Sequence, residues 1–339
     1  MGISIPASCW SRGPRAIMST VKRQPTGTDR ATSTRVESVL ERRRSGRWRS
    51  ALASAVNTPR ELARDRFALA GMIVLVLFAI VAVIGPYIAP YGPFEATFAA
   101  DGSLFRLESP TATNLLGTNY SGYDVLSQLL VGARIALLVG LTAAIAVGGI
   151  STILGIVAGY FGGRTDNAIM RLTDLALSIP TLPVAIVFVG LAGPSLRNIL
   201  IIIIALYWRN GARIIRSAAL TAKEQVYVSA SRAAGASPLY IMFVHILPTV
   251  LPVAFLWMTM SVAFAILAEA SLSFIGLGDP RVVSWGQMLN LAFSTGTIRT
   301  AWWWVIPPSL ALVVVITSIY FVGRAYEERT NPRLRKRSG

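Results

Sequence analysis

Runs of apolar residues too long for an ordinary globular core dominate this 339-residue chain. A helix crossing a hydrocarbon layer of about 30 Å needs roughly 20 residues. Six stretches qualify: Arg66–Ala89, Val131–Tyr160, Ala168–Leu191, Leu196–Tyr207 with an extension to Leu220, Leu247–Ser271 and Trp302–Ala325. The second is long enough to tilt or to continue outside the bilayer. The fourth has the shortest apolar part, and Arg209, Arg213 and Arg216 follow at once; we read them as the helix emerging into the cytosol. Only 14% of residues are charged, against about 25% in soluble domains. The expected fold is an all-α polytopic membrane protein with six transmembrane helices.

Six crossings put both termini on one side, and the net charge of +16 tells which. Of the 32 lysines and arginines, 27 fall on the side of the termini and five, Arg106, Arg134, Arg197, Arg281 and Arg299, on the other. The positive-inside rule makes the richer side cytosolic. Basic clusters such as Arg42-Arg43-Arg44 are then topology signals in a polar tail rather than a nucleic-acid surface. Residues 1–60 form that basic tail, expected to be disordered because it has too few apolar groups for a core. Residues 61–130 hold the first span and an outer loop, 131–325 the main body with an inner loop at 223–248, and 326–339 a second basic cytosolic tail.

Several chemistries are excluded. Cys9 is the only cysteine and His245 the only histidine, so neither a disulfide scaffold nor a Cys/His zinc site is available. None of Lys22, Lys223 and Lys336 follows glycine, so the chain carries no ordinary P-loop ATPase. No cluster of nucleophile, base and metal ligands points to an enzyme.

Two loops stand out. Tyr91–Leu130 includes Leu116-Gly117-Thr118-Asn119-Tyr120-Ser121-Gly122-Tyr123-Asp124, where glycines permit tight turns beside small polar groups. It suits a docking surface for an extracytoplasmic partner or a cap on the outer helix ends. The inner loop runs from Glu224 through Ser229-Ala230-Ser231-Arg232 to Gly235, then Pro238 to His245 and Leu247-Pro248. Its small residues favour a short smooth helix that Gly235 ends, with Pro238 starting the next. Phe243, Ile246 and Leu247 give that second helix an apolar side, so a helix–turn–helix lying along the bilayer is expected.

The inner loop resembles the EAA loop of ABC importer permeases, with Ser229-Ala230-Ser231, Gly235 and Leu247-Pro248 at the matching positions. The chain is most similar to the dipeptide/oligopeptide/nickel permeases, and to their C-type subunit. Gly117-Thr118 with Gly122 and Asp124, Gly132-Ala133-Arg134-Ile135, Ala158–Gly163, Met170–Asp174, Leu267–Gly278, Ser284-Trp285-Gly286 and Asn331–Arg335 carry that likeness, in order, from about residue 60 onward. Departures are visible too. Ser229 stands where the motif has glutamate, leaving Glu224 as the nearby acid. Asn119, Tyr123 and Gln128 stand where Asp, Arg and Arg are common, and Asp279–Val283 is short.

The resemblance implies a non-catalytic transport subunit, forming half of a translocation path most often used for di- and oligopeptides, with nickel complexes or another small solute as the alternative. It implies a second homologous permease, one or two cytosolic ABC ATPases that bind ATP and Mg, and an extracytoplasmic substrate-binding protein. Glu224, Ser229, Ala230, Ser231, Arg232, Gly235, His245, Leu247 and Pro248 would form the ATPase-coupling loop. Gly117, Thr118, Asn119, Gly122 and Asp124 would serve docking of the binding protein.

Within the spans, Asp174 and Glu269 are acids that need a partner, water or an interface. They are candidates for the substrate path, with an interhelical hydrogen bond as the plainer reading, and for ion coupling if the chain were a self-sufficient secondary transporter. The pairs Pro180/Pro183, Pro248/Pro252 and Pro307/Pro308 are expected to bend their helices. Gly155 and Gly159 allow close helix contact, and Trp302-Trp303-Trp304 is expected to form an aromatic belt.

Overall fold

The computed structural model describes residues 65–98 and 102–330. The expectations for the 1–60 tail, for Cys9 and for Asn331–Arg335 lie outside them. Within them the chain is helical, with isolated β-bridges only in the 91–124 loop. The long helices are α1 (Arg66–Ile88), α2 (Val125–Phe161), α5 (Leu196–Lys223), α8 (Leu247–Leu272) and α10 (Trp302–Thr330). Shorter ones are α3 (Gly163–Ser178), α4 (Thr181–Ala192), α6 (Val226–Ala233), α7 (Pro238–Ile241) and α9 (Trp285–Ser294).

Five stretches are long and apolar enough to cross a membrane, and a sixth span exists if α3 and α4 count as one. The expected third span is therefore not a straight helix: α3 and α4 meet at a bend of 82°. Pro180 is the cause. Its ring excludes the helical conformation from the residue before it, and Ile179 is extended, at φ −88°, ψ 122°. The other prolines are absorbed. Pro86, Pro252, Pro307 and Pro308 all lie inside continuous helices. Before Pro248, a π-turn at Met242–Ile246 takes up the missing donor, with the Leu247 N–H reaching the Met242 carbonyl.

That π-turn carries a correction. The second helix of the inner loop is not separate from the span that follows; α7 runs through the π-turn into α8, giving one stretch from Pro238 to Leu277. Ile246 is buried accordingly, while Phe243 stays exposed. The last helix also continues past Ala325 to Thr330.

Small residues set the packing of α2 on α5, the most extensive helix pair. A Cβ on Gly155 would stand 2.8 Å from the Ala212 carbonyl, and one on Gly159 would stand 2.7 Å from Ala219 Cβ. The backbones touch because nothing larger intervenes. The tryptophan triplet is not a belt. Successive helical residues turn by about 100°, so Trp302 faces out, Trp303 donates to the Thr118 carbonyl at 3.2 Å, and Trp304 is buried in the core.

Candidate functional site

At one end of the bundle, α5 stops at Lys223, with Glu224 as its cap residue, and the chain turns into α6. Gly235, at φ +80°, ends α6 in a conformation that favours glycine. The Gly235 N–H bonds the Arg232 carbonyl at 3.0 Å and the Ala236 N–H bonds the Ser231 carbonyl at 3.1 Å. This is the Schellman pattern that satisfies a helix's last carbonyls. Pro238 opens α7, with the Ser237 hydroxyl accepting from the Tyr240 N–H.

The underside of α6 is fixed. Val228 is buried in a cluster with Ile215, Ala219, Ile241 and Ile246. Ser231 Oγ lies 2.9 Å from His245 Nε2, and Tyr227 Oη lies 3.2 Å from Thr249 Oγ1, so two contacts bind α6 to the helix that becomes α8. The Tyr227 and Tyr240 rings flank the imidazole, each 5.7 Å away. Arg232 lies over the Tyr160 ring at 5.8 Å, joining α6 to the end of α2. The upper side is different: Val226, Ser229, Ala230 and Ala233 are exposed at helical spacing. The loop residues expected to act together are thus brought together, as a small-residue face held rigidly from beneath. Leu247 and Pro248 lie below it at the start of α8, and Glu224 is exposed beside it.

At the other end, residues 91–98 and 102–124 fold into a compact cap. Asp124, only 1% exposed, caps α2 by accepting from the Ser127 N–H at 2.8 Å, the Ser127 hydroxyl at 2.7 Å and Asn114 Nδ2 at 2.9 Å. Thr118 donates to the Phe105 carbonyl and accepts from the Glu108 N–H. Asn119 Nδ2 donates to Gln128 Oε1 at 3.2 Å, and Asn119 Oδ1 accepts from the Ser121 and Tyr123 N–H groups. Gly117 and Gly122 both have positive φ. All five residues expected to serve docking are buried, so they shape the cap; its exposed surface includes Phe98, Leu115 and Tyr120, the last under the Arg106 guanidinium. Asn114 was not anticipated, and only its neighbour Asp124 hinted at it.

The two acids expected within the spans are not brought together. Asp174 lies on α3, exposed and ion-paired with Arg213. Glu269 lies near the far end of α8, buried at 4% exposure, accepting from the Ser273 hydroxyl at 2.6 Å. Each therefore has the interhelical or local partner of the plainer reading.

The arginines of α5 are likewise more than the start of a cytosolic segment. Arg209 is buried and donates to the carbonyls of Ala176 and Ile179 and to the Thr181 hydroxyl, all at the α3–α4 bend. Arg213 pairs with Asp174 and Arg216 with Asp166 on α3. Their spacing of four and three residues puts all three on one face, which is the signal the sequence offered.

The model of the binding-protein-dependent transport system inner membrane components matches residues 151–336, covering the α6 loop. This chain belongs to that family. A second match, to the N-terminal transmembrane domain of oligopeptide transport permease C, covers residues 57–110. The di/tripeptide transport system permease protein DppC of Pseudomonas aeruginosa is 36% identical over 276 residues, covering 80% of this chain and 90% of that one. The dipeptide permease DppC of Haemophilus influenzae is 34% identical, over 80% of this chain and 92% of that one. That of Bacillus subtilis is 32% identical, over 85% and 88%. The chain is a multi-pass inner-membrane permease subunit of an ABC importer.

Proposed function

We propose that this subunit forms half of the path by which di- and oligopeptides enter the cell, driven by ATP hydrolysed on separate subunits. The observation that carries the coupling role is the α6 loop, a small-residue face exposed at 226, 229, 230 and 233 and seated on α2, α5 and α8. A push on such a face moves the spans instead of bending a loop. One or two ABC ATPases would dock there, binding ATP and Mg. A second homologous permease would complete the path, and a substrate-binding protein would load peptide at the cap formed by residues 91–124. The charge asymmetry supports a cytosolic side for α6 and both termini. Peptide as cargo follows from the names of the relatives. With Ser229 in place of a glutamate, contact with the ATPase is by close approach of small residues, with Glu224 as the neighbouring charge.

The test is reconstitution of the chain in proteoliposomes with its ATPases, second permease and binding protein. ATP-dependent uptake of labelled di- and tripeptides is expected, abolished when the ATPases are omitted. Uptake of a nickel complex but not of peptides would overturn the cargo. Peptide uptake driven by an ion gradient without ATPases would overturn the importer mechanism.

A further inference from the structure

An arginine with no partner lies between two cavities at the capped end of the spans. Arg134 projects exposed from α2, and among the described residues it has no hydrogen-bond or ion-pair partner. It stands three residues into the span expected to begin at Val131, at its outer boundary, where a long cationic side chain reaches headgroup level. One cavity, of about 630 Å³, includes Tyr91, Pro93, Glu95 and Arg281 in its walls. The other, of about 370 Å³, lies between α1 and α2 and is walled by Ala82, Val83, Tyr87, Leu137, Leu141 and Thr142. Both include Arg134 and Leu138.

The second cavity runs from Arg134 toward the middle of the spans, along successive turns of both helices, and it is almost wholly apolar. Val83, Tyr87, Leu138 and Leu141 are all exposed, so it is open at its side. A guanidinium set at the head of an open apolar trough has the chemistry of a phospholipid site.

We propose that this is a binding site for a phospholipid of the leaflet on the side of residues 91–124. The phosphate is held by Arg134 and an acyl chain lies in the trough between α1 and α2. The guanidinium fork matches phosphate oxygens. Inorganic phosphate offers a similar oxyanion but nothing to fill the trough, and a short peptide lacks the long acyl chain that a trough running from Ala82 to Tyr87 and from Arg134 to Thr142 would hold. In the upper cavity the Glu95 carboxylate offers a contact to a headgroup ammonium, while Arg281 in the same wall is already paired with Asp279, so phosphatidylethanolamine fits better than phosphatidylglycerol. The inference rests on α1 and α2 crossing a membrane and is independent of the transported solute.

The experiment uses the whole complex in mild detergent, with retained lipid identified by native mass spectrometry. The complex is then stripped and supplied with phosphatidylethanolamine, phosphatidylglycerol, diacylglycerol, inorganic phosphate or a tripeptide, and its melting temperature is followed. Retained phosphatidylethanolamine is expected, with affinity falling on the order of ten-fold in Arg134→Gln. Arg134→Lys should keep part of it, and Leu138→Trp, which fills the trough and spares the charge, should also displace lipid. Equal retention by wild type and Arg134→Gln overturns the proposal. So does protection by phosphate or tripeptide as strong as by phospholipid. A photo-crosslinker at Leu141 that captures the second permease instead of lipid overturns it too, by showing a seam between subunits. Because lipid retention is the readout, failure here leaves the transport reading standing, and the reverse.

Discussion

Asn119 and Gln128 show how much one buried pair can change at fixed geometry. They are 1% and 3% exposed and bonded to each other, and they stand where the resembling sequences commonly carry Asp and Arg. A neutral pair fills a place suited to an ion pair. Asn119→Asp alone would bury a carboxylate without its cation, which costs several kcal/mol. Asn119→Asp/Gln128→Arg should recover much of that loss, with a coupling energy of about 0.5–3 kcal/mol in a double-mutant cycle of thermal stability. Asp124→Ala in the same cap should cost about 1 kcal/mol for the lost helix cap, and more because Asn114 then has no acceptor. Asp124→Asn should recover only part of it, because its one oxygen can keep the Ser127 cap while its NH2 group meets the Asn114 donor. Asp279 gives a pH signature. Arg281 donates to it at 2.9 and 3.0 Å, and this neighbour holds its carboxyl at about 2, below the ordinary 3.8. A carboxyl held low stabilises the fold above its ordinary value, and that contribution is lost as pH falls from 3.8 toward 2. The melting temperature of the purified protein should fall across that window, and Asp279→Asn should fall less.

At the scale of elements, the bend between α3 and α4 is where sequence and structure part most clearly. Apolar length marked Ala168–Leu191 as a span, and Pro180 within it was legible as a bend. An 82° turn was not, because length and hydropathy carry no direction, and the same proline signal at Pro252 or Pro307 leaves a helix continuous. What differs is tertiary. At Pro180 a buried arginine from another helix takes up the carbonyls that the bend frees. Arg209 is thus a rivet, although from sequence it read as the edge of the membrane. The interface of α2 with α5, by contrast, was legible in Gly155 and Gly159, since contact between backbones requires residues of that size. The bend yields its own prediction. Arg209→Met should leave the Ala176 and Ile179 carbonyls without their donor, at about 1–3 kcal/mol for each that stays buried. It should also raise the labelling rate of a cysteine placed at Ile179. Arg213→Met, which removes only an exposed ion pair, should cost no more than about 1 kcal/mol.

At the scale of the whole molecule, the two ends are built on opposite principles. The cap spends its polar side chains inward: Thr118, Asn119 and Asp124 satisfy one another's surroundings and hold the start of α2 still. The α6 loop turns its polar contacts downward, through Ser231 and Tyr227, and leaves a plain face upward. If ATPases dock there as proposed, a face made of small side chains acts through close approach, so its weakness is bulk. Ala230→Trp should therefore leave the fold intact, because the site is exposed, yet separate ATP hydrolysis from uptake. In proteoliposomes, peptide uptake is expected to fall by on the order of ten-fold or more, since a central steric block removes the closest contacts of an interface. The melting temperature of the isolated subunit should not change. Ser231→Ala tests the other side of the same helix: with the His245 contact gone, α6 keeps its face but loses one of its ties to α8. Its ATPases should still bind with unchanged affinity while uptake per ATP falls. Equal losses of binding and uptake in Ser231→Ala would mean that the hydrogen bond shapes the face and does not transmit motion.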